Sequence, residues 1–293
     1  MDLLNLKKEK ISFWFETTIR EGHINYFESN EFTCLEKIDE GGFDVVYKSE
    51  WEDLGKEAVL KCLKSAENLD GIALKTFIKE LKILQQTSFH SNIIRFYGIT
   101  KEPSSRDYYM VLQYANNGNL HEYLEHNFSS LECVDKLRMA REITAGLEFL
   151  HMNNLIHKNL NAKKILIHEG QIKISAYSPL NSTDNNYEKY RVLPYVAPEV
   201  LHTKTHTCEA DIYSFSILFY EIMFGISPYG NIPYDIDLEN RICNGLRPEI
   251  PKQAQKTFTQ LMIQCWDVEP SQRLAAVKLK NIFERKGINN RSQ

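Results

Sequence analysis

The sequence predicts an α+β protein of two lobes, in which a small β-rich lobe with one helix is followed by a larger, mainly helical lobe. Two observations lead to this prediction. Short strand-like runs separated by turn residues dominate the chain up to about residue 114, and apolar residues that recur every three or four positions dominate after it. The chain has 293 residues, of which 43% are hydrophobic, and this is enough to bury a full core.

The first lobe is predicted from the alternation of strand and turn signals. An extension over residues 1–31 contains the apolar run ISFWFETTI and is expected to be helical. After it come the strand-like runs LEKI, DVVYKSEW, AVLKCL, IIRFYGI and YYMVLQY. The segment ALKTFIKELKILQQ lies between the third and fourth runs and is predicted to be an amphipathic helix, because its apolar positions share one face.

The second lobe is predicted from helical periodicity. After the turn NNGN, apolar residues from Leu131 to Leu150 recur at the spacing of a long helix with one buried face. The short runs LI, KILI and QIKI, with the turn HEG, are then expected to form a small β insert. From Glu209 onward helical patterns dominate.

Composition excludes several classes of function. The net charge is −4 with both signs interspersed, which argues against binding to nucleic acid or to an anionic membrane surface. The most apolar stretch, SFSILFYEIMFG, is too short to span a bilayer. Six cysteines without a C-x-x-C pair predict reduced thiols and a cytoplasmic protein, with no metal site.

Five motifs in a fixed order resemble the protein kinase family. They are AVLK with Lys61, the helix residue Glu80, YVAPE at residues 195–199, ADIYSF with Asp211, and CWDVEPSQR with Arg273. The last motif looks most like the tyrosine-kinase-like branch. The resemblance implies a kinase-like domain over residues 32–286, made of an N-lobe at 32–114, a hinge at 113–117 and a C-lobe at 118–286, with a tail at 287–293.

The same resemblance implies that the catalytic positions are degenerate. The family motif H-R-D-L-x-x-x-N matches residues 157–164, so Asn159 stands where the catalytic base is expected and Lys164 stands where an asparagine binds metal. The motif D-F-G matches Ala176, Tyr177 and Ser178. A neutral amide cannot act as a base, a lysine repels Mg²⁺, and a methyl group binds no metal. These positions predict a pseudokinase with no intact catalytic group and no Mg²⁺.

The glycine-rich loop of the family is also altered. Asp39 and Asp44 match its first and third glycines, and Gly41 matches the middle one. A carboxylate about 5 Å from a phosphate charge would cost on the order of 3 kcal/mol at an effective dielectric constant near 20. The alternative is that both carboxylates turn into solvent.

Other family positions are retained, which makes ATP a candidate ligand. Lys61 and Glu80 are expected to form an ion pair that fixes the helix against the sheet. Leu112 stands at the gatekeeper position before the hinge. The residues implied in nucleotide binding are Lys61, Glu80, Gly41, Val46, Val59, Leu166, Gln113 and Ala115. The alternative is that the apolar residues among them are ordinary core residues.

Three residues are implied in holding the larger lobe together. In the family, the counterparts of Glu199 and Arg273 form a buried ion pair, and the counterpart of Asp211 accepts hydrogen bonds from the backbone of the catalytic loop. Their retention indicates a scaffold that is still in use, although residues of this kind are also needed simply for folding.

Three functional classes remain open at this stage. The first is a pseudokinase that binds another kinase or a signalling protein, and the second is a nucleotide-dependent switch without turnover. The third is an active but unorthodox kinase for serine, threonine or tyrosine.

Overall fold

A computed structural model describes residues 13–40, 44–63, 71–103, 107–175, 190–230 and 232–289. Contacts divide the chain into two compact units. The first comprises Met1–Phe89 and Ile94–Tyr114, and the second comprises His90–Ile93 and Ala115–Gln293. The division after Tyr114 falls inside the segment 113–117 that the sequence suggests as a hinge.

The first unit is built on a six-stranded sheet. Its strands are β1 (Tyr26–Phe27), β2 (Phe32–Glu40), β3 (Asp44–Trp51), β4 (Lys56–Leu63), β5 (Phe96–Lys101) and β6 (Tyr108–Gln113). They lie in the order β1-β5-β6-β4-β3-β2. The pairing of β1 with β5 is parallel and all other neighbours are antiparallel.

The two faces of this sheet carry different side chains, because successive residues of a strand point to opposite faces. One face holds a buried apolar cluster to which Phe32, Trp51, Ala58, Leu60 and Val111 contribute. The other face carries the β4 residues Val59 and Lys61.

A helix and an N-terminal segment complete the first unit. Helix α2 (Gly71–Thr87) buries Phe77, Leu81 and Leu84, which are spaced for a single helical face. Residues 13–20 form helix α1, from which Phe15 stacks on Tyr108 with ring centroids 4.1 Å apart. The same Phe15 ring meets Phe77 edge-on at 6.5 Å. The N-terminal segment therefore packs directly on helix α2 and on strand β6.

Gly98 in β5 allows the N-terminal segment to approach the sheet closely. The N–H of Ile99 donates to the carbonyl oxygen of Asn25 at 2.9 Å, and Asn25 Nδ2 donates to the carbonyl oxygen of Tyr97 at 3.0 Å. A Cβ atom on Gly98 would collide with the Asn25 carbonyl oxygen. Glycine is therefore required where β1 joins the sheet.

The second unit is mainly helical. Its helices are α3 (Leu120–Asn127), α4 (Cys133–Met152), α5 (Pro198–Thr203), α6 (Cys208–Phe224), α7 (Ile236–Cys243), α8 (Lys256–Cys265) and α9 (Ala276–Asn289). A two-stranded sheet joins β7 (Ile165–His168) to β8 (Gln171–Ile174).

Helix α6 forms the centre of the second unit, because every residue from Ala210 to Ile222 is buried. Phe215 and Phe219 stack at 5.9 Å, and Phe283 of α9 meets both rings edge-on. Thr207 caps the first turn of α6 by accepting a hydrogen bond from the N–H of Ala210. Gly225 ends the helix in a left-handed conformation.

The predicted fold class is confirmed, with three local differences. The run LI at residues 155–156 is not a strand, and Leu155 instead packs against the core of the second unit. In IIRFYGI the strand begins only at Phe96, since Ile93 forms an isolated bridge with Ile174. The extension 1–31 is helical at 13–20 but also contributes strand β1, and residues 1–12 lie outside the described part.

All six cysteines are free thiols. No helix in the described part of the chain combines the length and apolar character that crossing a membrane requires.

Candidate functional site: a lysine between two carboxylates and a loop without its base

The ammonium group of Lys61 lies between two carboxylates in the first unit. Its Nζ atom is 2.6 Å from Glu80 Oε1 and 2.8 Å from Asp44 Oδ2. Lys61 and Glu80 are both buried. Burial acts to lower the pKa of Lys61, but the charges of Glu80 and Asp44 outweigh it and raise the pKa above its usual value. The lysine therefore remains charged throughout the physiological pH range.

The register of the sheet explains why Asp44 reaches Lys61. Val46 of β3 pairs directly with Lys61 of β4. Asp44 lies two residues earlier on β3, so it shares the face of Lys61 as a diagonal neighbour. Glu80 approaches from helix α2, whose apolar residues Phe77 and Leu81 pack on the same unit.

The two aspartates at the glycine positions behave differently. Asp39 is exposed, and its Oδ1 atom accepts a hydrogen bond from the N–H of Glu40 at 2.8 Å. Asp44 instead pairs with Lys61. The alternative that both carboxylates turn into solvent is therefore wrong for Asp44. Gly41 lies outside the described residues.

Part of the expected adenine surface lies on the same sheet face as Lys61. Val59 pairs directly with Leu112 across β4 and β6, and Val46 pairs with Lys61, so these side chains share one face. Val59 and Leu112 are buried and Val46 is half-buried. The first unit thus presents apolar side chains beside a lysine.

The remaining expected nucleotide-binding residues are placed as follows. Gln113 is the last residue of β6, and its N–H donates to the carbonyl oxygen of Arg95 at 2.9 Å. Ala115 is buried and begins the second unit. Leu166 lies in β7 of the second unit, where it pairs with Lys173.

The loop at residues 157–164 holds the positions where the resemblance expects a base and a metal ligand. Asn159 Oδ1 accepts a hydrogen bond from Asn161 Nδ2 at 3.0 Å. Lys164 ends a 3-10 turn, and its carbonyl oxygen accepts from the N–H of Ser175 at 2.8 Å. Ala176 lies outside the described residues.

The ammonium of Lys164 does not fit a divalent cation, which is bound by oxygen ligands. The other position that the resemblance matches to a metal ligand, Ala176, is outside the described part of the chain. The described part of the chain contains no cluster of three or more His, Cys, Asp or Glu residues that could hold a metal ion.

Asp211 holds the backbone of this loop in place. Its Oδ2 atom accepts from the N–H of His157 at 2.8 Å, and its Oδ1 atom accepts from the N–H of Lys158 at 2.9 Å. The backbone of Lys158 has a φ of 68°, a left-handed conformation that costs a lysine about 1 kcal/mol or more. The two hydrogen bonds offset this cost.

His151 is a partner of Asp211 that the sequence analysis missed. Its Nε2 atom lies 2.9 Å from Asp211 Oδ2. His151 is in the last turn of α4 and Asp211 is in the first turn of α6, so only the packing of the two helices brings them together. No sequence spacing signals this pair.

A small pocket in the second unit borders the loop. It is lined by Lys158, Asn159 and His206, together with Asp211 and several apolar residues. Among the described residues that line the pocket, Asp211 is the one carboxylate, and its oxygens already accept the hydrogen bonds described above.

His206 is a second residue that the sequence analysis missed. Burial lowers the pKa of its imidazole, and the charge of Lys158 lowers it further, while Asp211 acts in the opposite direction. His206 is therefore a neutral imidazole at neutral pH and can accept a proton.

Glu199 and Arg273 form a two-bond ion pair in the second unit. Arg273 Nη1 and Nη2 donate to the two oxygens of Glu199 at 2.6 and 2.8 Å. Arg273 also donates to the carbonyl oxygens of Asp267 and Glu209, at 2.9 and 3.0 Å. The arginine therefore ties the first turn of α5 to the start of α6 and to the turn after α8.

Comparison with known proteins agrees with this geometry. Residues 32–283 match the family model described as protein tyrosine and serine/threonine kinase.

The chain is similar to kinases of both specificities. It is 29% identical over 81% of its length to the probable serine/threonine-protein kinase pats1 of Dictyostelium discoideum, of which it covers 8%. It is 28% identical over 81% of its length to the tyrosine-protein kinase Abl of Drosophila melanogaster, of which it covers 15%. It is 24% identical over 92% of its length to the serine/threonine-protein kinase STY17 of Arabidopsis thaliana, of which it covers 51%. The chain thus spans about half or less of the length of these relatives.

Proposed function

We propose that this chain, which belongs to the protein tyrosine and serine/threonine kinase family, is a kinase domain with impaired phosphoryl transfer that acts in signalling by binding another protein. The observation that carries the proposal is the pocket in the second unit. Its base position holds the amide of Asn159, which cannot accept a proton at neutral pH.

The expected loss of rate is large. Removal of a general base typically slows a reaction by a factor of about 10² to 10⁴. Phosphoryl transfer depends mainly on positioning and on metal ions that neutralise charge, so poor metal ligands at Lys164 and Ala176 remove a further major contribution. Both losses together leave little of the family's usual rate enhancement.

The contacts that support the second unit favour a scaffold that binds a partner. The charged side chains of Glu199, Arg273 and Asp211 have a structural role in these contacts and not a catalytic one. The expected partner is another kinase or a signalling protein. We assign this role to the cytoplasm, which free thiols at all six cysteines favour.

A phosphotransfer assay tests the proposal. Purified protein is incubated with labelled ATP and Mg²⁺, and autophosphorylation and transfer to generic peptide acceptors are measured beside Lys61→Ala. We expect equal, background signals from the two proteins. Mg²⁺-dependent transfer that disappears in Lys61→Ala would overturn the proposal.

An active kinase of unusual chemistry is the second candidate function, and two observations favour it. The ion pair between Lys61 and Glu80, which the family needs for activity, is in place at 2.6 Å. His206 also supplies a neutral imidazole to the pocket that Asn159 lines. An imidazole can take the proton of a substrate hydroxyl in place of the missing aspartate.

The two candidates are separated by one variant. If the chain transfers phosphate with His206 as base, His206→Asn should abolish the activity, and His202→Asn, an exposed histidine on α5, should keep it. If the first candidate is correct, the wild type and both variants give the same background signal.

A further inference from the structure

We infer that Asp44 occupies the side of the Lys61 ammonium that a nucleotide phosphate would take, so that this site prefers an adenine nucleoside without phosphates to ATP. The inference rests on the proposed function, because it concerns the ligand of the same kinase domain.

The first step is the charge around Lys61. One ammonium lies within 2.8 Å of two carboxylates, Glu80 and Asp44, so the three groups carry a net charge of −1. In the kinase family a lysine at this position pairs with the helix glutamate and with the phosphates of ATP. Here the second partner is already supplied by the chain itself.

The second step identifies the carboxylate that an arriving phosphate must displace. The side chain of Glu80 is 5% exposed and that of Asp44 is 25% exposed. Asp44 is the first residue of β3 and matches the third glycine of the family's glycine-rich loop. Asp44 is therefore the group that a phosphate meets and must displace.

The third step is that an adenine ring faces no such obstacle. Val46 and Val59 share the sheet face of Lys61, and both are apolar and carry no charge. Apolar side chains bind an uncharged base equally well whether phosphates follow it or not. The penalty from Asp44 falls on the phosphates alone and grows with their charge.

The test compares the binding of adenosine, ADP and ATP by calorimetry, with EDTA and with Mg²⁺. Asp44→Asn removes the carboxylate charge at nearly constant shape, and Asp44→Gly restores the glycine of the family motif. The matched control is Asp53→Asn, which removes the same charge from an exposed residue in the turn between β3 and β4.

We expect the wild type to bind adenosine at least as tightly as ATP. Asp44→Asn and Asp44→Gly should each strengthen ATP binding by about tenfold or more, while adenosine affinity changes by less than about twofold. Asp53→Asn should change neither affinity by more than about twofold.

Three results would overturn the inference: wild-type ATP binding more than about tenfold tighter than adenosine binding, equal effects of Asp44→Asn and Asp53→Asn on ATP, or no binding of either ligand to any variant. The proposed function is tested separately by phosphotransfer. If the protein has the expected ligand preference and also transfers phosphate, the proposed function alone is overturned. If it neither transfers phosphate nor binds adenosine or ATP, this inference alone is overturned.

Discussion

Arg273 and Glu199 are joined by two parallel hydrogen bonds although they lie 74 positions apart in the sequence. The guanidinium side chain is fully buried, whereas the carboxylate is 21% exposed. Removing the arginine would leave Glu199 and the carbonyl oxygens of Asp267 and Glu209 without their donor.

We therefore expect Arg273→Ala to lower the free energy of unfolding by about 3 to 5 kcal/mol. Urea denaturation of the purified protein measures the change. Arg285→Ala is the control, because this arginine is exposed and its removal should change stability by less than about 0.5 kcal/mol. Equal stability of the two variants would contradict the structural role of the pair.

Phe15 gives a second prediction, on the N-terminal segment. Its side chain is 1% exposed, and truncation would remove the stack on Tyr108 and the edge contact with Phe77. Phe15→Ala should destabilise the protein by about 3 to 5 kcal/mol. Phe13, on the same helix, is 68% exposed, so Phe13→Ala should have little effect. Thermal melts of both variants measure the difference. Coinciding melting curves would contradict the packing role of Phe15.

Glu221 makes stability depend on pH. Burial raises the pKa of its carboxyl from 4.5 to about 8, while the hydrogen bond from Tyr195 Oη acts in the opposite direction. The folded chain therefore keeps this proton at pH values where the unfolded chain has lost it. Its stabilising contribution is complete below a pH of about 4.5 and is lost as the pH rises through about 8.

The measurement is a series of denaturation curves between these two pH values. Glu221→Gln should flatten the profile by up to about 1.4 kcal/mol per pH unit relative to the wild type. Glu52→Gln, at an exposed position, should follow the wild-type profile. A Glu221→Gln profile parallel to that of the wild type would disprove the shift.

Magnesium dependence gives a fourth prediction. Because Lys164 and Ala176 stand at the positions matched to the family's metal ligands, the rise in melting temperature that a saturating adenine nucleotide produces should be the same in EDTA and in Mg²⁺. Lys164→Asn should weaken this stabilisation, because it removes an ammonium that can balance phosphate charge, whereas Lys163→Asn, which removes an exposed lysine from the same turn, should leave it unchanged. Stabilisation that requires Mg²⁺ would mean that another carboxylate holds the ion.

Most of the fold could be predicted because its signals are local. DVVYKSEW coincides with β3, and the apolar face of ALKTFIKELKILQQ coincides with the buried face of α2. The short strand β1 could not be predicted, because two residues that pair with a distant strand leave no periodicity. Ile93 and Leu155 were misjudged for a related reason, since an apolar residue in a short run can be buried without belonging to a strand.

The site was only partly predictable. The pairing of Lys61 with Glu80 follows from the family motifs. The sheet face on which Asp44 lies could be predicted. Val46 is the strand partner of Lys61, and Asp44, two positions earlier, must point to the same face. The approaches of His151 to Asp211 and of His206 to the loop depend on how helices pack, and the sequence contains no spacing that reports it.

The parallel pairing of β1 with β5 bears on how the protein behaves at high concentration. Strand β5 is six residues long, and β1 pairs with Ile99 and Thr100 on the side that would otherwise present their N–H and carbonyl groups unpaired. An uncovered edge is a template for self-association. The opposite edge, β2, has charged residues at Glu36, Lys37, Asp39 and Glu40, which discourage such pairing. A recombinant chain that starts at Phe32 would keep the charged edge at β2 but would lose β1, which leaves the edge of β5 uncovered. We expect this chain to precipitate at concentrations at which the longer chain stays in solution.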